Sequence, residues 1–234
     1  MNEVRYLFFD VGGTVFDWKS TAKRTIEDAA SQLNEAVDSE AFASDWRRTM
    51  FDLVGEVRRG NRHWLTADQM HELALESMTG RFPVLRRLDL AALTRMTWHQ
   101  LDVFEGAADM VARLRTRYTV LVLTILNYQS IIESSKRGGV IWDGIFSCEL
   151  LGHYKPSLQS YRKALRLMGV SPGDACMVAA HKGDLAAASQ VGMRTAYVSA
   201  PIADHVGSGF GDSEGVTFDI EVDSYEALCQ SFEV

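Results

Sequence analysis

Proline is scarce in this chain, with four among 234 residues, and cysteine is scarcer, with three. So few prolines beside 47% hydrophobic residues exclude an extended or disordered polymer. Cys148, Cys176 and Cys229 are scattered, odd in number and without a C-x-x-C pair. Neither a disulfide framework nor a cysteine zinc site is expected, and a reducing compartment fits best. Long apolar runs are also missing. No window approaches a membrane-spanning length, and the apolar stretch in the opening MNEVRYLFFDV is too short for a secretory signal. A cytoplasmic location is therefore the expectation. Excess positive charge is absent too. A net charge of −7 and a pI near 5.4 argue against nucleic acid or an anionic membrane as partner. A small anionic substrate stays open, because one local arginine or lysine dominates the field of a pocket.

What is present is enough apolar material for a sizeable core. Short runs rich in Val, Ile, Leu or Phe occur at Tyr6–Val11, Thr119–Thr124, Gly144–Ser147, Ala175–Ala180, Thr195–Val198 and Phe218–Val222. That pattern predicts parallel strands covered on both faces. Helical spacing at Ala107–Arg117, Gln129–Gly138, Leu158–Met168 and Asp184–Val191 separates them, with Gly169 and Gly192 as helix stops. The alternation predicts a doubly wound, Rossmann-like α/β sheet with its site at the carboxyl ends of the strands. One stretch breaks the rhythm. Between about Asp17 and Trp98 the apolar spacing is helical at Ala22–Leu33, Phe42–Arg59 and Thr66–Met78, with no convincing strand. The expected organisation is a core of residues 1–16 and 99–234 with a helical cap inserted at 17–98. The glycine-rich segment Gly207–Gly215 reads as a surface loop.

The chemistry-bearing residues fall at the strand ends. Phe8-Phe9-Asp10-Val11-Gly12-Gly13-Thr14 carries an apolar strand into a carboxylate, two glycines and a hydroxyl. Glycine lets the backbone turn sharply and approach a ligand. Thr124 ends the second strand run, Lys155 precedes Pro156 beyond the third, and Asp184 follows the fourth in Ala179-Ala180-His181-Lys182-Gly183-Asp184. Topology thus brings two carboxylates, a hydroxyl and an amine to one sheet edge. A buried lysine beside a carboxylate keeps it ionised, as a carboxylate nucleophile requires.

This order, Asp-x-x-Gly-Thr, then Thr, then Lys-Pro, then a late Asp, resembles the haloacid dehalogenase superfamily over nearly the whole chain. The details look like its L-2-haloacid dehalogenase type. The superfamily's phosphatases carry a second Asp where this chain has Gly12, and another acid where it has Ala180. Asp45-Trp46-Arg47-Arg48 resembles the dehalogenase segment bearing a catalytic arginine, which assigns that part to Arg47. Val57-Arg58-Arg59-Gly60, Trp64 and Trp98-His99-Gln100-Leu101 resemble the same group, with Trp46 and Trp64 read as packing residues. Tyr161 matches a family active-site tyrosine. There are departures. The dehalogenases carry a bulky aromatic at Gly12, an Asn at Ile125, and Ser-Asn where this chain has Ala180-His181. Asn127 stands near the missing Asn, and His181 takes the polar place of the other.

The resemblance implies a hydrolase that cleaves the carbon–halogen bond of a small 2-haloacid without metal or other cofactor. Asp10 attacks carbon to form an ester, and water then frees the product. Lys155 keeps Asp10 ionised. Asp184 positions or deprotonates the water, with help from His181, and Arg47 receives the leaving anion. Val11, Thr14, Thr124, Ile125, Asn127, Tyr161 and His181 are the expected substrate-binding set. Dehalogenases of this type are often dimeric, so a homodimer is the expected assembly. Three other readings stay open: a magnesium-dependent phosphatase, a phosphonatase-like hydrolase, and a catalytically silent binding protein on the same fold. The phosphonatase-like class would need a lysine in the insertion, where only Lys19 and Lys23 occur.

Overall fold

The computed structural model describes residues 4–199 and 217–234, so Gly207–Gly215 lies outside the described residues. Its centre is a six-stranded parallel sheet. The strands are β1 (Tyr6–Phe9), β4 (Thr119–Thr124), β5 (Gly144–Ser147), β6 (Ala175–Ala179), β7 (Arg194–Val198) and β8 (Ile220–Val222). They lie in the order β5-β4-β1-β6-β7-β8. The chain begins in the middle, winds outward through β4 and β5, then returns to the other side of β1. This is the doubly wound arrangement, and its reversal point lies at the end of β1.

The strand sequences explain both faces. Leu7, Phe9, Val120, Val122, Cys176 and Val178 fall in one core cluster. Phe8, Leu121, Leu123, Met177 and Ala179 fall in the other. Period-two alternation of residues that are apolar at every position fills both sides. On the first face pack α5 (Ala107–Leu114), α6 (Tyr128–Gly138) and α10 (Tyr225–Ser231), through residues such as Met110, Ile131 and Leu228. On the second pack α8 (Leu158–Met168) and α9 (Lys182–Val191), through Tyr161, Leu165 and Leu185. A short α7 (Cys148–Leu151) follows β5. The observed strands stop short of the predicted Val11 and Ala180, because the chain turns there to build the site.

The insertion consists of α1 (Trp18–Gln32), α2 (Ser39–Arg58), α3 (Ala67–Met78) and α4 (Leu90–Trp98), with a 3-10 turn at Pro83–Arg87 before α4. Sequence spacing did not reveal α4 or the 3-10 turn, since both are short. Side-chain caps start the helices: Asp38 accepts from the Ala41 N–H at 3.0 Å, and Thr66 and Gln69 form a reciprocal capping box. Both α1 and α3 pack against α2 and α4. Their shared interior is aromatic. Trp18 stacks on Trp98, and Trp46 meets Phe42, His71 and Trp98. The Trp46 indole also donates to the His71 carbonyl at 3.0 Å, so its role is packing, as expected. Among the described residues no helix is long and apolar enough to cross a membrane.

Three devices tie the insertion to the rest of the fold. At its root, β2 (Phe16–Asp17) and β3 (Asp102–Val103) form a small antiparallel pair where the chain leaves and returns. The sequence gives no sign of it, because two residues carry no periodicity. Farther out, Trp64 stacks on Tyr154, whose hydroxyl donates to the Leu65 carbonyl at 2.8 Å. Beside them the buried His99 bridges Asp68 of α3 at 2.9 Å and Glu133 of α6 at 2.8 Å. Both ring nitrogens face carboxylates, so both carry protons. Burial alone would lower the His99 pKa, but the hydrogen bonds and charges of Asp68 and Glu133 prevail and raise it above 6.5. A raised histidine pKa contributes stability that is present below the unfolded value and is lost as pH rises through the folded one. Wild-type melting temperature should therefore fall as pH rises through and beyond the ordinary histidine range. His99→Gln should flatten that slope, and thermal melts of the two proteins across the range check it.

Candidate active site

The end of β1 sets the site. The Asp10 N–H continues the ladder by donating to the Val178 carbonyl at 3.0 Å. The chain then turns on Gly13, whose φ of 87° falls in the left-handed region where side chains are strained. Three N–H groups, of Thr14, Val15 and Phe16, converge on the Val11 carbonyl and close the turn. The Thr14 hydroxyl donates to Asp10 Oδ2 at 3.0 Å, and its own Oγ1 accepts from the Ala180 N–H at 3.0 Å. One threonine thus locks the β1 and β6 ends together.

Lys155 reaches the same place from the loop between α7 and α8. Its ammonium donates to Asp10 Oδ1 at 2.8 Å, to the Leu123 carbonyl at 2.8 Å and to Asp184 Oδ2 at 2.6 Å. Those three bonds use its three protons. Lys155 and Asp184 are fully buried, and Asp10 is 4% exposed. Burial by itself would raise the Asp10 pKa, but the Lys155 charge and the His181 contact outweigh it and hold Asp10 well below the usual carboxylate range. Burial would likewise lower the Lys155 pKa, but Asp10 and Asp184 hold it above the usual lysine range. Asp184 moves up, through burial and the charge of Asp10. Tyr161 donates to Asp184 Oδ1, so both Asp184 oxygens are engaged within the protein.

From the insertion, α2 delivers Arg47. The side chain is buried, with its guanidinium over the Trp18 ring at 4.3 Å and the Phe51 ring at 4.9 Å. Its Nη2 lies 3.4 Å from His181 Nε2, while His181 Nδ1 lies 2.9 Å from Asp10 Oδ2. His181 is the N-cap position of α9, and its ring makes no capping bond to that helix. A small cavity opens among these groups, walled by Asp10, Gly12, Arg47, Phe51, Thr124, Ile125, Leu126 and His181.

The structure therefore gathers Asp10, Thr124, Ile125, His181 and Arg47 on one cavity, with Lys155 and Asp184 directly behind the Asp10 carboxylate. Four expected substrate-binding residues stand outside the cavity wall, each for a local reason. Val11 gives its carbonyl to the turn, Thr14 binds Asp10 and Ala180, and Tyr161 is committed to Asp184. Asn127 accepts from the Asp68 N–H at 3.3 Å and so joins α6 to α3. Phe51, Leu126 and Trp18 were not anticipated. Phe51 was within reach of sequence reasoning, because it lies four residues after Arg47 on the same helix face. A side chain at Gly12 would come within 3.6 Å of Leu126, so its absence leaves room on that wall.

The arrangement makes a buried cation answerable for two buried anions, and removing it leaves both uncompensated. Lys155→Met should destabilise the protein by about 3–5 kcal/mol near neutral pH. The depressed Asp10 pKa contributes stability above the ordinary carboxylate range that is lost as pH falls. In the variant the carboxylates protonate more readily, so the gap should narrow toward about pH 4. Urea unfolding at both pH values measures it.

A family model for haloacid dehalogenase-like hydrolases matches residues 4–192. No curated protein matches. Among solved structures, the L-2-haloacid dehalogenase PA0810 is 26% identical, with a TM-score of 0.87 and 98% of this chain and 99% of that one covered. The defluorinating L-2-haloacid dehalogenase Rha0230 is 26% identical, with a TM-score of 0.89 and coverage of 99% and 96%. The L-2-haloacid dehalogenase from Xanthobacter autotrophicus, with chloropropionic acid covalently bound, shares the fold at a TM-score of 0.80 and 17% identity, over 98% of both chains. A match spanning more than three quarters of the sequence, on a fold whose strand ends assemble this carboxylate–lysine centre, places the chain in the haloacid dehalogenase-like hydrolase family.

Proposed function

We propose that the protein hydrolyses the carbon–halogen bond of a small 2-haloacid through an ester on Asp10, without a metal ion. One observation carries the reading. A carboxylate held ionised by Lys155 at 2.8 Å faces a cavity that also receives a guanidinium from the insertion, and much of the remaining wall is apolar. In the first step an Asp10 oxygen attacks the substituted carbon; the new C–O bond forms as the C–X bond breaks, and the halide leaves with the electron pair. Arg47 stabilises that anion, and its planar cation suits a place against the rings of Trp18 and Phe51. Thr124 and the main chain beyond β4 bind the substrate carboxylate. In the second step water opens the ester and releases the 2-hydroxyacid. Asp184 and Tyr161 act behind the reaction by fixing Lys155.

The helices α1–α4 serve as a cap in this reading, with the β2–β3 pair as hinge. Closure excludes bulk water and strengthens the Arg47 contacts. Magnesium chemistry fits these residues poorly. The Lys155 ammonium already lies between the two carboxylates that would gather the ion, and Gly12 and Ala180 supply no further acid.

Halide release from a panel of 2-haloacids, in EDTA, is the direct test, set against a phosphate ester with magnesium. Halide should appear with EDTA present; loss on chelation and recovery with magnesium would overturn the reading. Asp10→Asn should reduce turnover to background with the fold unchanged by circular dichroism. Arg47→Lys keeps the charge but loses the planar fork, and kcat should drop by about 10²–10³-fold. Steady-state kinetics on the same haloacid measures that loss.

A further inference from the structure

We propose that His181 is the general base, and then the general acid, of the second half-reaction, in which the Asp10 ester is hydrolysed. The proposal rests on the haloacid reading above. It follows from asking which group can take a proton from a water in the cavity. Among the described residues, the titratable side chains on the cavity wall are Asp10, Arg47 and His181. Asp10 is consumed as the ester, and a guanidinium does not deprotonate in proteins. Asp184 is fully buried off the cavity, with one oxygen on Lys155 and the other on Tyr161. The Lys155 protons are spent on Asp10, Leu123 and Asp184. His181 alone combines a place on the wall with contact to the nucleophile, at 2.9 Å.

The contacts also assign its starting tautomer. Arg47 only donates, so His181 Nε2, at 3.4 Å, accepts. The ring proton then sits on Nδ1 and is donated to Asp10 Oδ2. That neutral form tolerates a neighbouring guanidinium and leaves one basic nitrogen facing the cap. Release of a halide next to Arg47 gives the guanidinium an anion to bind, and Nε2 becomes available to water. Water oxygen then bonds to the Asp10 Cγ while one of its protons passes to Nε2. The tetrahedral centre collapses, the Cγ–O bond to the substrate breaks, and the departing alkoxide takes a proton from the imidazolium. The remaining water proton leaves the restored Asp10 carboxyl to solvent. One water is consumed, the 2-hydroxyacid is released and His181 is neutral again.

The same contacts make a tether that depends on closure. Arg47 belongs to the insertion, while His181 and Asp10 belong to the sheet. The base is therefore aligned from one side by the nucleophile and from the other by the residue that receives the leaving group. His181 stands at the N-cap of α9, and its ring is turned to Asp10 and Arg47 rather than to the helix.

Rapid-quench reactions with 2-chloropropionate and with fluoroacetate, read by halide release and by intact-protein mass, test the relay. His181→Asn and His181→Gln should still form ester, because carbon attack needs no base. Both should then stall, with the Asp10 peptide carrying the substrate's mass and ester hydrolysis slowed by about 10²–10⁴-fold. Asp184→Asn should instead slow ester formation, because it loosens Lys155. The relay is overturned if both His181 variants hydrolyse the ester at the wild-type rate, or if both lose the halide burst itself. Wild-type halide release alongside either result would leave the haloacid reading standing. A wild type that releases no halide from either acid would remove both readings.

Discussion

Two strand ends, the first turn of a helix and a loop meet at the Lys155 ammonium, and the position of each is dictated by it. An ammonium with no access to solvent must find an acceptor for every proton, and here those are Asp10, Asp184 and the Leu123 carbonyl. Asp10 comes from β1, Leu123 from β4 and Asp184 from α9, so the three bonds triangulate the sheet edge. Thr14 adds a fourth tie by joining Asp10 to Ala180. The result is a carboxylate that is ionised although it is almost wholly withdrawn from water. A desolvated but ionised carboxylate is the state in which such a group is most reactive toward carbon.

A second charge pattern lies in front of this one. Arg47 brings a cation from the insertion into an environment of aromatic rings, with Trp18 on α1 and Phe51 one turn along α2. Rings accept a weakly hydrated guanidinium where they would not accept an ammonium. Lys155 and Arg47 together balance Asp10 and Asp184, so the buried centre is close to neutral only when the insertion and the sheet are in contact. That dependence couples the electrostatics of the site to the relative position of the helices, which the His99 bridge and the β2–β3 pair hold in place.

Much of this was legible in the sequence because the carriers are local. The apolar runs that became β1, β4 and β6 are buried parallel strands, whereas Phe218–Val222, expected to be covered on both faces, gives only the partly exposed edge strand β8, because Asp219 and Glu221 alternate with its apolar residues. Each Gly-stopped helical segment returns the chain. The strand-end residues Asp10, Thr124, Lys155 and Asp184 follow from topology, since parallel strands all deliver their carboxyl ends to one edge. Less visible were elements too short to have a period, namely α4, the Pro83–Arg87 turn and the two-residue strands at the root of the insertion.

What the sequence by itself determined is therefore the doubly wound sheet, the helical insertion after β1 and the identity of the charged residues at the sheet edge. Tertiary structure decided how those residues are used. Val11, Thr14, Tyr161 and Asn127 stand near the site in sequence logic, yet their polar atoms are taken up by the Val11 turn, by Asp10 and Ala180, by Asp184 and by Asp68. His181 was expected in the substrate-binding set, as a helper to Asp184, and the fold set it between Asp10 and Arg47, both far from it in the chain. The physical reason is that a side chain's chemistry is fixed by which hydrogen-bond partners are left for it after burial. That competition is settled among residues far apart in sequence, where periodicity and local propensity carry no information.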